Sequence, residues 1–304
     1  MRVLITGGAG FIGSHLVQHY QDKAEVVVLD NFRTGSRKNL EGLKCQIIEG
    51  SILDRELLNR IMPEIDYVFH LAALVSVPES MSKPSETVEI NVQGLLNVLE
   101  AGKTHRVKKL CFASSAAVYG ESPEQPKVES MAPDPCSPYG ITKLDGEYYC
   151  SLYAREGWLE TAVLRFFNVF GPRQVPSGAY AAAVPIFIQK ATRNEVITIY
   201  GNGGQTRDFI YVKDIVGALS FLAQSPGVTG VYNAGYGECM RIVDLVHIIL
   251  KESCSSSQII YAPERTGDIR HSQASPRKLM DAGWKPAHGV MNGLKGTIES
   301  FANS

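Results

Sequence analysis

The sequence predicts an α/β protein with a doubly wound parallel sheet and a smaller α/β region on its carboxyl side. Three observations support this. Short apolar runs alternate with helical patterns, a glycine-rich turn joins the first run to the first helix, and the elements become shorter after about residue 170. Apolar runs bounded by helices are typical of parallel strands covered on both faces. Right-handed crossovers then give a doubly wound sheet.

The elements can be placed in order along the chain. The predicted strands of the first half are Arg2–Thr6, Glu25–Asp30, Cys45–Glu49, Tyr67–His70 and Lys109–Ser114, with helices at Gly13–Gln21 and Val92–Thr104. Beyond the turn-rich segments that follow Phe170, the predicted helices are Ile186–Arg193, Val212–Ala223 and Ile242–Ser253, and the strands are Val196–Tyr200 and Phe209–Val212. We therefore expect two domains, 1–170 and 171–304, with some later segments returning to the first sheet.

Composition excludes several partners. The 304 residues include 30 basic and 31 acidic side chains, so no charge excess points to nucleic acid or a membrane surface. No apolar run approaches the roughly 18 residues of a membrane span, and no signal-peptide pattern is visible. The six cysteines are scattered, with no C-x-x-C pair. We expect a soluble cytoplasmic protein with reduced thiols and no metal site; disulfides or zinc are the alternatives.

A glycine-rich turn follows the first strand. Gly7, Gly10 and Gly13 have the spacing G-x-x-G-x-x-G, and a predicted helix starts there. Glycine lets the backbone turn sharply and approach a pyrophosphate, which then meets the helix amino terminus. Such a turn is weak evidence alone, but strand and helix supply the required context. The sequence thus predicts a dinucleotide site in an NAD(P)-binding Rossmann domain.

Asp30 ends the second strand, 17 residues after Gly13. A carboxylate there can accept hydrogen bonds from both ribose hydroxyls and repels a 2′-phosphate. We therefore predict NAD as the cofactor. NADP stays open because Arg33 and Arg37 follow closely, and Asp30 as a mere strand terminator is the structural alternative.

Tyr139 and Lys143 form a Y-x-x-x-K pair, one helical turn apart on one face. A tyrosine with its usual pKa of about 10 is a poor base at neutral pH. We expect a nearby ammonium, together with the positive nicotinamide of oxidised NAD, to lower that pKa. Ser137-Pro138 is a plausible helix start just before the pair. Alone, such a pair occurs by chance in many helices and favours a solvated helix face over a catalytic site.

Ser114 and Ser115 favour a catalytic role for the Tyr139–Lys143 pair, because they follow an apolar strand. The carboxyl ends of strands are where ligands bind in open α/β sheets. Ser115 can hydrogen-bond a reacting alcohol and shuttle its proton to Tyr139. The predicted catalytic residues are therefore Ser115, Tyr139 and Lys143.

These residues resemble the extended short-chain dehydrogenase/reductase family, and within it the UDP-hexose 4-epimerases. The resemblance covers nearly the whole chain. It rests on Thr6–Gly13, Asp30–Phe32, His70–Ala73, Asn91, Ser114–Gly120, Tyr139–Lys143, Leu164–Asn168, Tyr200–Gly203, Thr206–Val212 and Arg265–Asp268. Ser51 departs from the family, which usually has Asp there to meet the adenine amino group, and Phe166 stands where many members carry Tyr.

The resemblance implies a binding role for two groups of residues. The cofactor group is Gly7, Gly10, Phe11, Ile12, Gly13, Asp30, Asn31, Ser51, Ile52, Leu71, Ala72, Ala73, Asn91, Tyr139, Lys143 and Phe166. The UDP-sugar group is Ser115, Asn168, Tyr200, Arg207, Arg265, Asp268 and Ser272. Two guanidiniums can clamp a diphosphate, and an aromatic ring can stack on uracil. Without the family, the Arg and Asp residues at 207–208 and 265–268 would be interpreted as surface ion pairs.

Members of this family catalyse several different reactions. Related dehydratases typically place Asp-Glu after the catalytic serine or threonine, and UDP-glucuronate decarboxylases typically place Glu there, where this chain has Ala116-Ala117. The resemblance therefore implies an isomerase, a UDP-hexose 4-epimerase acting on UDP-glucose and UDP-galactose. The small Ser272, where glucose-restricted members often hold Tyr, favours UDP-GlcNAc and UDP-GalNAc as further substrates.

Two alternatives remain open: a UDP-glucuronate 4-epimerase or decarboxylase, and a non-catalytic NAD-binding sensor of the same fold. The family also implies a homodimer built from two helices of each subunit.

Overall fold

The computed structural model describes residues 1–176, 182–264 and 270–302. The strands are β1 (Arg2–Thr6), β2 (Glu25–Asp30), β3 (Gln46–Glu49), β4 (Tyr67–His70), β5 (Lys109–Ser115), β6 (Glu160–Phe166), β7 (Asn168–Phe170), β8 (Ile197–Tyr200), β9 (Thr206–Arg207), β10 (Phe209–Tyr211), β11 (Gly230–Ala234), β12 (Met240–Arg241), β13 (Ile259–Ala262) and β14 (His271–Ser272). The helices are α1 (Phe11–Tyr20), α2 (Arg55–Ile61), α3 (Val77–Ser82), α4 (Pro84–Val88), α5 (Gly94–Thr104), α6 (Pro138–Arg155), α7 (Ala183–Thr192), α8 (Val212–Gln224), α9 (Ile242–Glu252), α10 (Arg277–Asp281) and α11 (Gly289–Ala302).

In the part of the chain that the structure describes, seven parallel strands form the main sheet, in the order β3-β2-β1-β4-β5-β6-β11. The chain winds outward in one direction from β1 to β3 and in the other from β4 to β11. The strand order therefore reverses between β1 and β4, and a crevice opens beyond their carboxyl ends, where such sheets bind ligands. This confirms the predicted doubly wound α/β fold.

Helices cover both faces of this sheet. Leu16 of α1 and Leu219 of α8 belong to the same core as Val3 on one face. Leu4, the next residue of β1, points to the opposite face and packs in the core that includes Val98 of α5. The period of two along each strand thus sends successive apolar residues into two cores, which is why the central strands are apolar throughout.

The second half adds small sheets around a third core. β7 pairs with β10, β8 with β13, and β9 lies between β12 and β14. Apolar side chains from α7, α9 and α11 pack together here, among them Ile188, Leu245 and Leu294. β11 lies in the main sheet, beside β6, and α8 packs against that sheet. The boundary near residue 170 stays a prediction.

Several element bounds differ from the predicted ones by a few residues. The first helix begins at Phe11, because Gly10 is its N-cap, rather than at Gly13. The helix predicted from Val92 starts as a π-helical stretch, Glu89–Gln93, before α5 begins. All six cysteines are free thiols, and Cys111 and Cys150 are buried. Among the described residues, no helix is long and apolar enough to cross a membrane.

Candidate functional site

The glycine turn is built so that the backbone itself forms its surface. Gly7 has a φ of +71°, which favours glycine, and its amide donates to the Leu29 carbonyl at 2.9 Å. A Cβ on Gly13 would lie 2.2 Å from the Gly7 oxygen, so no side chain fits between the turn and α1. The first amides of a helix have no acceptor within it, and they carry the positive end of its dipole. The residues present therefore fit a pyrophosphate.

Asp30 lies beside this turn, at the end of β2, and is 7% exposed. Its carboxylate accepts hydrogen bonds from the amides of Ala9 at 2.9 Å and Phe32 at 2.8 Å. These bonds fix the orientation of the carboxylate and use about half of the roughly four acceptor positions of an ionised Asp. The remaining acceptor positions can bind the two hydroxyls of a ribose.

A cavity of about 500 Å³ runs along the carboxyl ends of the strands from this turn. Its walls include nearly all predicted cofactor residues, namely Gly7, Gly10, Phe11, Ile12, Gly13, Asp30, Asn31, Ser51, Ile52, Leu71, Ala72, Ala73, Tyr139, Lys143 and Phe166. Ser115 of the catalytic set lines it too. The structure thus brings these sequence-predicted residues together in one place.

Asn91 is the predicted cofactor residue that does not line the cavity. It is 3% exposed, and its amide binds the Leu74 backbone in both directions, accepting at 2.7 Å and donating at 3.0 Å. It also donates to Thr142 of α6 at 3.0 Å. Its polar atoms are thus engaged behind the wall, and in this structure it shapes the cavity through Leu74 rather than facing a ligand.

The predicted catalytic residues come from the end of β5 and the start of α6. Ser137 caps α6 by accepting from the Gly140 amide at 3.1 Å, and this places Tyr139 in the first turn of the helix. Tyr139 and Ser115 both line the cavity, and Ser115 lies close enough to the phenol to lower its pKa. The Ser115 oxygen accepts from the Ala117 amide at 3.1 Å, which holds the hydroxyl in position. A substrate hydroxyl placed at this pair can exchange its proton with Tyr139.

Lys143 is 4% exposed and lies one turn further along α6. Its ammonium donates to the Ala113 carbonyl at 2.7 Å and lies 5.7 Å from the centre of the Tyr139 ring. Burial lowers the pKa of Lys143 to about 8. At neutral pH the ammonium therefore remains mostly charged, and it is anchored to β5.

The predicted lowering of the Tyr139 pKa involves the Lys143 ammonium together with the nicotinamide of NAD, and the protein's own groups do not produce it. Burial raises the pKa of the Tyr139 phenol, and Ser115 opposes that rise only in part. Burial penalises the charged phenolate, and the Lys143 ammonium donates to the Ala113 carbonyl rather than to the phenol. A further positive charge is needed at the phenol to make it a base near pH 7.

A buried ion pair, which the sequence interpretation missed, supports this centre. Glu147 of α6 accepts from Arg165 of β6 at 2.9 and 2.6 Å, and both side chains are at most 5% exposed. Glu147 also accepts from Ser114 at 2.5 Å. Glu147 therefore ties α6 to β6 through Arg165 and to the end of β5 through Ser114, the neighbour of Ser115. A glutamate four residues after Lys143 on the same helix face was the available signal.

The structure places three of the predicted sugar-nucleotide residues near one another. Asn168 of β7 donates to the Asp208 carbonyl at 2.9 Å, and Arg207 is the register partner of Ser272 in the pairing of β9 with β14. A fourth, Tyr200, ends β8, and its carbonyl accepts from Gln205 at 3.0 Å. None of these four predicted residues is part of the cavity wall around the glycine turn. Two more of the set, Arg265 and Asp268, lie outside the described residues.

Asp208 is not the surface partner that the pattern suggested. It is 0% exposed, and it accepts from the amides of Tyr236, Gly237 and Ala274 at 2.9 to 3.0 Å. Burial raises the pKa of Asp208 to about 6, although these hydrogen bonds lower it in part. Asp208 thus joins β9 to the loops around it, which fixes the strand that carries Arg207.

One cavity therefore contains both a candidate pyrophosphate-binding site and a site where a hydroxyl can lose its proton. The fold and this site define a dinucleotide-dependent enzyme that acts on an alcohol carbon. A sequence profile of the NAD dependent epimerase/dehydratase family matches residues 3–235. The chain belongs to this family. NAD is its cofactor, which confirms the prediction made from the glycine turn and Asp30.

Curated relatives extend over the whole chain. The UDP-glucose 4-epimerase of Mycolicibacterium smegmatis is 34% identical over 313 residues, covering 100% of this chain and 99% of the relative. The UDP-N-acetyl-alpha-D-glucosaminuronate decarboxylase of Bacillus cytotoxicus is 37% identical over 316 residues, covering 99% and 97%. Since an epimerase and a decarboxylase are about equally similar, the reaction has to be inferred from the site.

Solved structures match the fold closely. The UDP-N-acetylglucosamine 4-epimerase of Methanobrevibacter ruminantium M1, in complex with UDP-N-acetylmuramic acid, is 40% identical with a TM-score of 0.95, covering 99% of this chain and 98% of that one. The UDP-glucose 4-epimerase of Thermotoga maritima, with UDP-glucose, is 38% identical with a TM-score of 0.94, covering 100% and 99%. The UDP-glucose 4-epimerase of Thermus thermophilus, in complex with NAD, is 38% identical with a TM-score of 0.90, covering 99% of each chain.

Proposed function

We propose that this protein is a UDP-hexose 4-epimerase that interconverts UDP-glucose with UDP-galactose and UDP-GlcNAc with UDP-GalNAc. One observation carries the choice of reaction: Ala116 and Ala117 follow Ser115 where elimination or decarboxylation would call for an acid. Among the described residues of the cavity wall, the one carboxylate is Asp30, at the end of β2. A site of this composition can exchange a proton and a hydride at an alcohol carbon, and such exchange is sufficient for epimerisation.

The chain's own residues supply the proton chemistry and the orientation. Ser115 and Tyr139 receive the proton of the sugar 4-hydroxyl and return it after the 4-keto sugar has rotated in the site. Lys143, anchored on the Ala113 carbonyl, holds positive charge next to the phenol. When bound in the cavity beside Tyr139 and Lys143, NAD would supply the hydride acceptor and donor for C4, and its positive nicotinamide would favour the Tyr139 phenolate. Such a charge offsets the burial that raises the pKa of Tyr139.

The nucleotide part of the substrate is proposed to bind Asn168, Tyr200, Arg207, Arg265 and Asp268. The proximity of Asn168 to the strand that carries Arg207 supports this, since the Asn168 side chain donates to the carbonyl of the residue after Arg207. Contacts to the nucleotide keep their energy whichever face of the sugar is presented. The sugar can therefore turn while the substrate stays bound.

Product analysis tests the proposed reaction. Purified protein is incubated separately with UDP-galactose, UDP-GalNAc and UDP-glucuronate, and the products are identified by proton NMR. We expect UDP-glucose and UDP-GlcNAc from the first two and no carbon dioxide from the third. The Tyr139→Phe variant should retain NAD and lose turnover by about 10²–10⁴-fold, the range for a general acid–base group. Release of carbon dioxide, or no conversion of either pair, would overturn the proposal.

Ser272 is proposed to admit the N-acetyl group because its side chain is small. We expect Ser272→Tyr to lose conversion of UDP-GalNAc first and to keep conversion of UDP-galactose. Ser272→Thr, which adds one methyl group, is the matched control and should keep both. Equal losses for the two pairs in the Tyr variant would contradict this role.

We also propose a homodimer formed through α5 and α6. Ile141 and Tyr148 of α6 are seven residues apart on one helix face and are 47% and 61% exposed. Exposed apolar area of this kind is typical of a surface that a partner covers. Light scattering coupled to size exclusion should give about twice the 33.3 kDa chain mass. A monomer at micromolar concentration would refute the dimer.

A further inference from the structure

Two cations follow Asp30 closely enough to bear on the choice between NAD and NADP. Arg33 lines the cavity together with Asp30, and Arg37 lies four residues further along the chain. A 2′-phosphate on the ribose that meets Asp30 would need a guanidinium of this kind. The hydrogen-bond partners of Arg33 and Arg37 therefore decide whether either guanidinium can bind a 2′-phosphate.

Two glutamates on separate helices hold Arg33. Its Nη2 donates to Glu79 of α3 at 2.7 Å, and its Nη1 donates to Glu86 of α4 at 2.5 Å. Lys83 lies 3.5 Å from each glutamate, so two cations and two carboxylates form a neutral cluster. The hydrogen bond with Glu86 raises the pKa of Arg33, and the same bond lowers the pKa of Glu86.

The loop after β2 is folded so that Arg33 reaches this cluster. Phe32 has a φ of +55°, and its amide donates to Asp30 at 2.8 Å. Arg37 is engaged elsewhere: it donates to Glu49 and lies 4.4 Å from the centre of the Phe32 ring. Both cations that favoured NADP in the sequence are thus bound to carboxylates of the protein.

We propose that Glu79 and Glu86 are specificity-determining residues for the cofactor: by holding Arg33 they withhold its guanidinium from a 2′-phosphate. The Asp30 carboxylate then repels a 2′-phosphate on the ribose, and Arg33 does not offset that repulsion. The ion pairs of Arg33 contribute little to folding, because the three side chains are about one-third exposed and such pairs are weak. Their consequence is for ligand choice.

A competition measurement with the loaded protein tests this role. Protein purified with its NAD is incubated with increasing NADP, free nucleotide is removed, and the bound dinucleotides are quantified by liquid chromatography after denaturation. In Glu79→Gln/Glu86→Gln, the NADP to NAD ratio needed for half replacement should fall about tenfold relative to the unchanged protein. NAD should remain the preferred ligand, because Asp30 is intact.

Two control variants make the result specific. Adding Arg33→Ala to the double variant should return the ratio to that of the unchanged protein, because the freed guanidinium is then gone. Asp22→Asn removes the carboxylate of an exposed ion pair with Lys44, which is not part of the cavity wall, and should leave the ratio unchanged. A ratio that stays within twofold in the double variant, or a gain that persists without Arg33, overturns the proposal. Neither readout depends on which sugar is converted.

Discussion

Replacing Gly13 by Ala probes whether the backbone at the glycine turn forms the pyrophosphate site. The added Cβ would lie 2.2 Å from the Gly7 oxygen and 2.7 Å from the Gly8 Cα, both backbone atoms that no rotamer change can move away. The turn and the start of α1 must therefore separate. Loss of one or two charged hydrogen bonds, about 3 kcal/mol in total, corresponds to roughly 100-fold weaker NAD binding.

The assay for this variant is the amount of NAD that copurifies, followed by calorimetric titration with NAD. Gly296→Ala is the matched control, because a Cβ there, on α11, would meet the Tyr211 hydroxyl at an ordinary 3.4 Å. It should bind NAD like the unchanged protein. Full NAD content and an affinity within twofold in Gly13→Ala would refute the role assigned to the turn.

Two further predictions concern the groups around the catalytic centre. The pKa of Lys143 is about 8 in the folded protein, so between pH 8 and 10 Lys143 loses its charge there, while it largely keeps that charge in the unfolded chain. The buried charge destabilises the folded state, and this destabilisation therefore decreases as the pH rises. Relative to Lys143→Met, the free energy of unfolding in urea should thus rise by about 2 kcal/mol over this range, and parallel curves would contradict the buried ammonium. Glu147→Ala should cost about 3–5 kcal/mol in the same assay, because it leaves Arg165 charged and buried, and Glu147→Leu/Arg165→Met should recover much of that loss. A cost under about 1 kcal/mol would show that the pair is effectively solvated.

Local patterns were sufficient to predict which residues lie together around the glycine turn. β1, β2 and β4 have the predicted bounds, because each is a short apolar run bounded by turn or helix residues. Gly7, Gly13 and Asp30 belong to one strand–helix–strand unit, so short-range geometry fixes their positions relative to one another. Motifs of this kind need little long-range information.

Long-range pairing was harder to predict. β11 lies in the main sheet beside β6, with Gly230 opposite Ala162. Local periodicity carries no information on a pairing between segments so far apart in the chain. β9, β12 and β14 are two residues long, too short for any pattern, and are defined by their partners.

The electrostatics around Tyr139 and Lys143 could not be predicted from the sequence either. The spacing of Tyr139 and Lys143 predicted that they are neighbours, and they are. The direction of the ammonium depends on the Ala113 carbonyl of β5, and the rise in the pKa of Tyr139 depends on burial by the whole cavity. Neither quantity is visible in a five-residue motif.

The most direct test of the central claim follows one hydrogen atom. UDP-galactose carrying deuterium at C4 is converted by the purified protein in ordinary water, and the UDP-glucose formed is analysed by NMR. If Tyr139 and Ser115 move only the hydroxyl proton while C4 loses and regains hydride within the site, the deuterium stays on C4 with inverted configuration. Loss of the label to water, or recovery of unchanged UDP-galactose alone, would contradict the account.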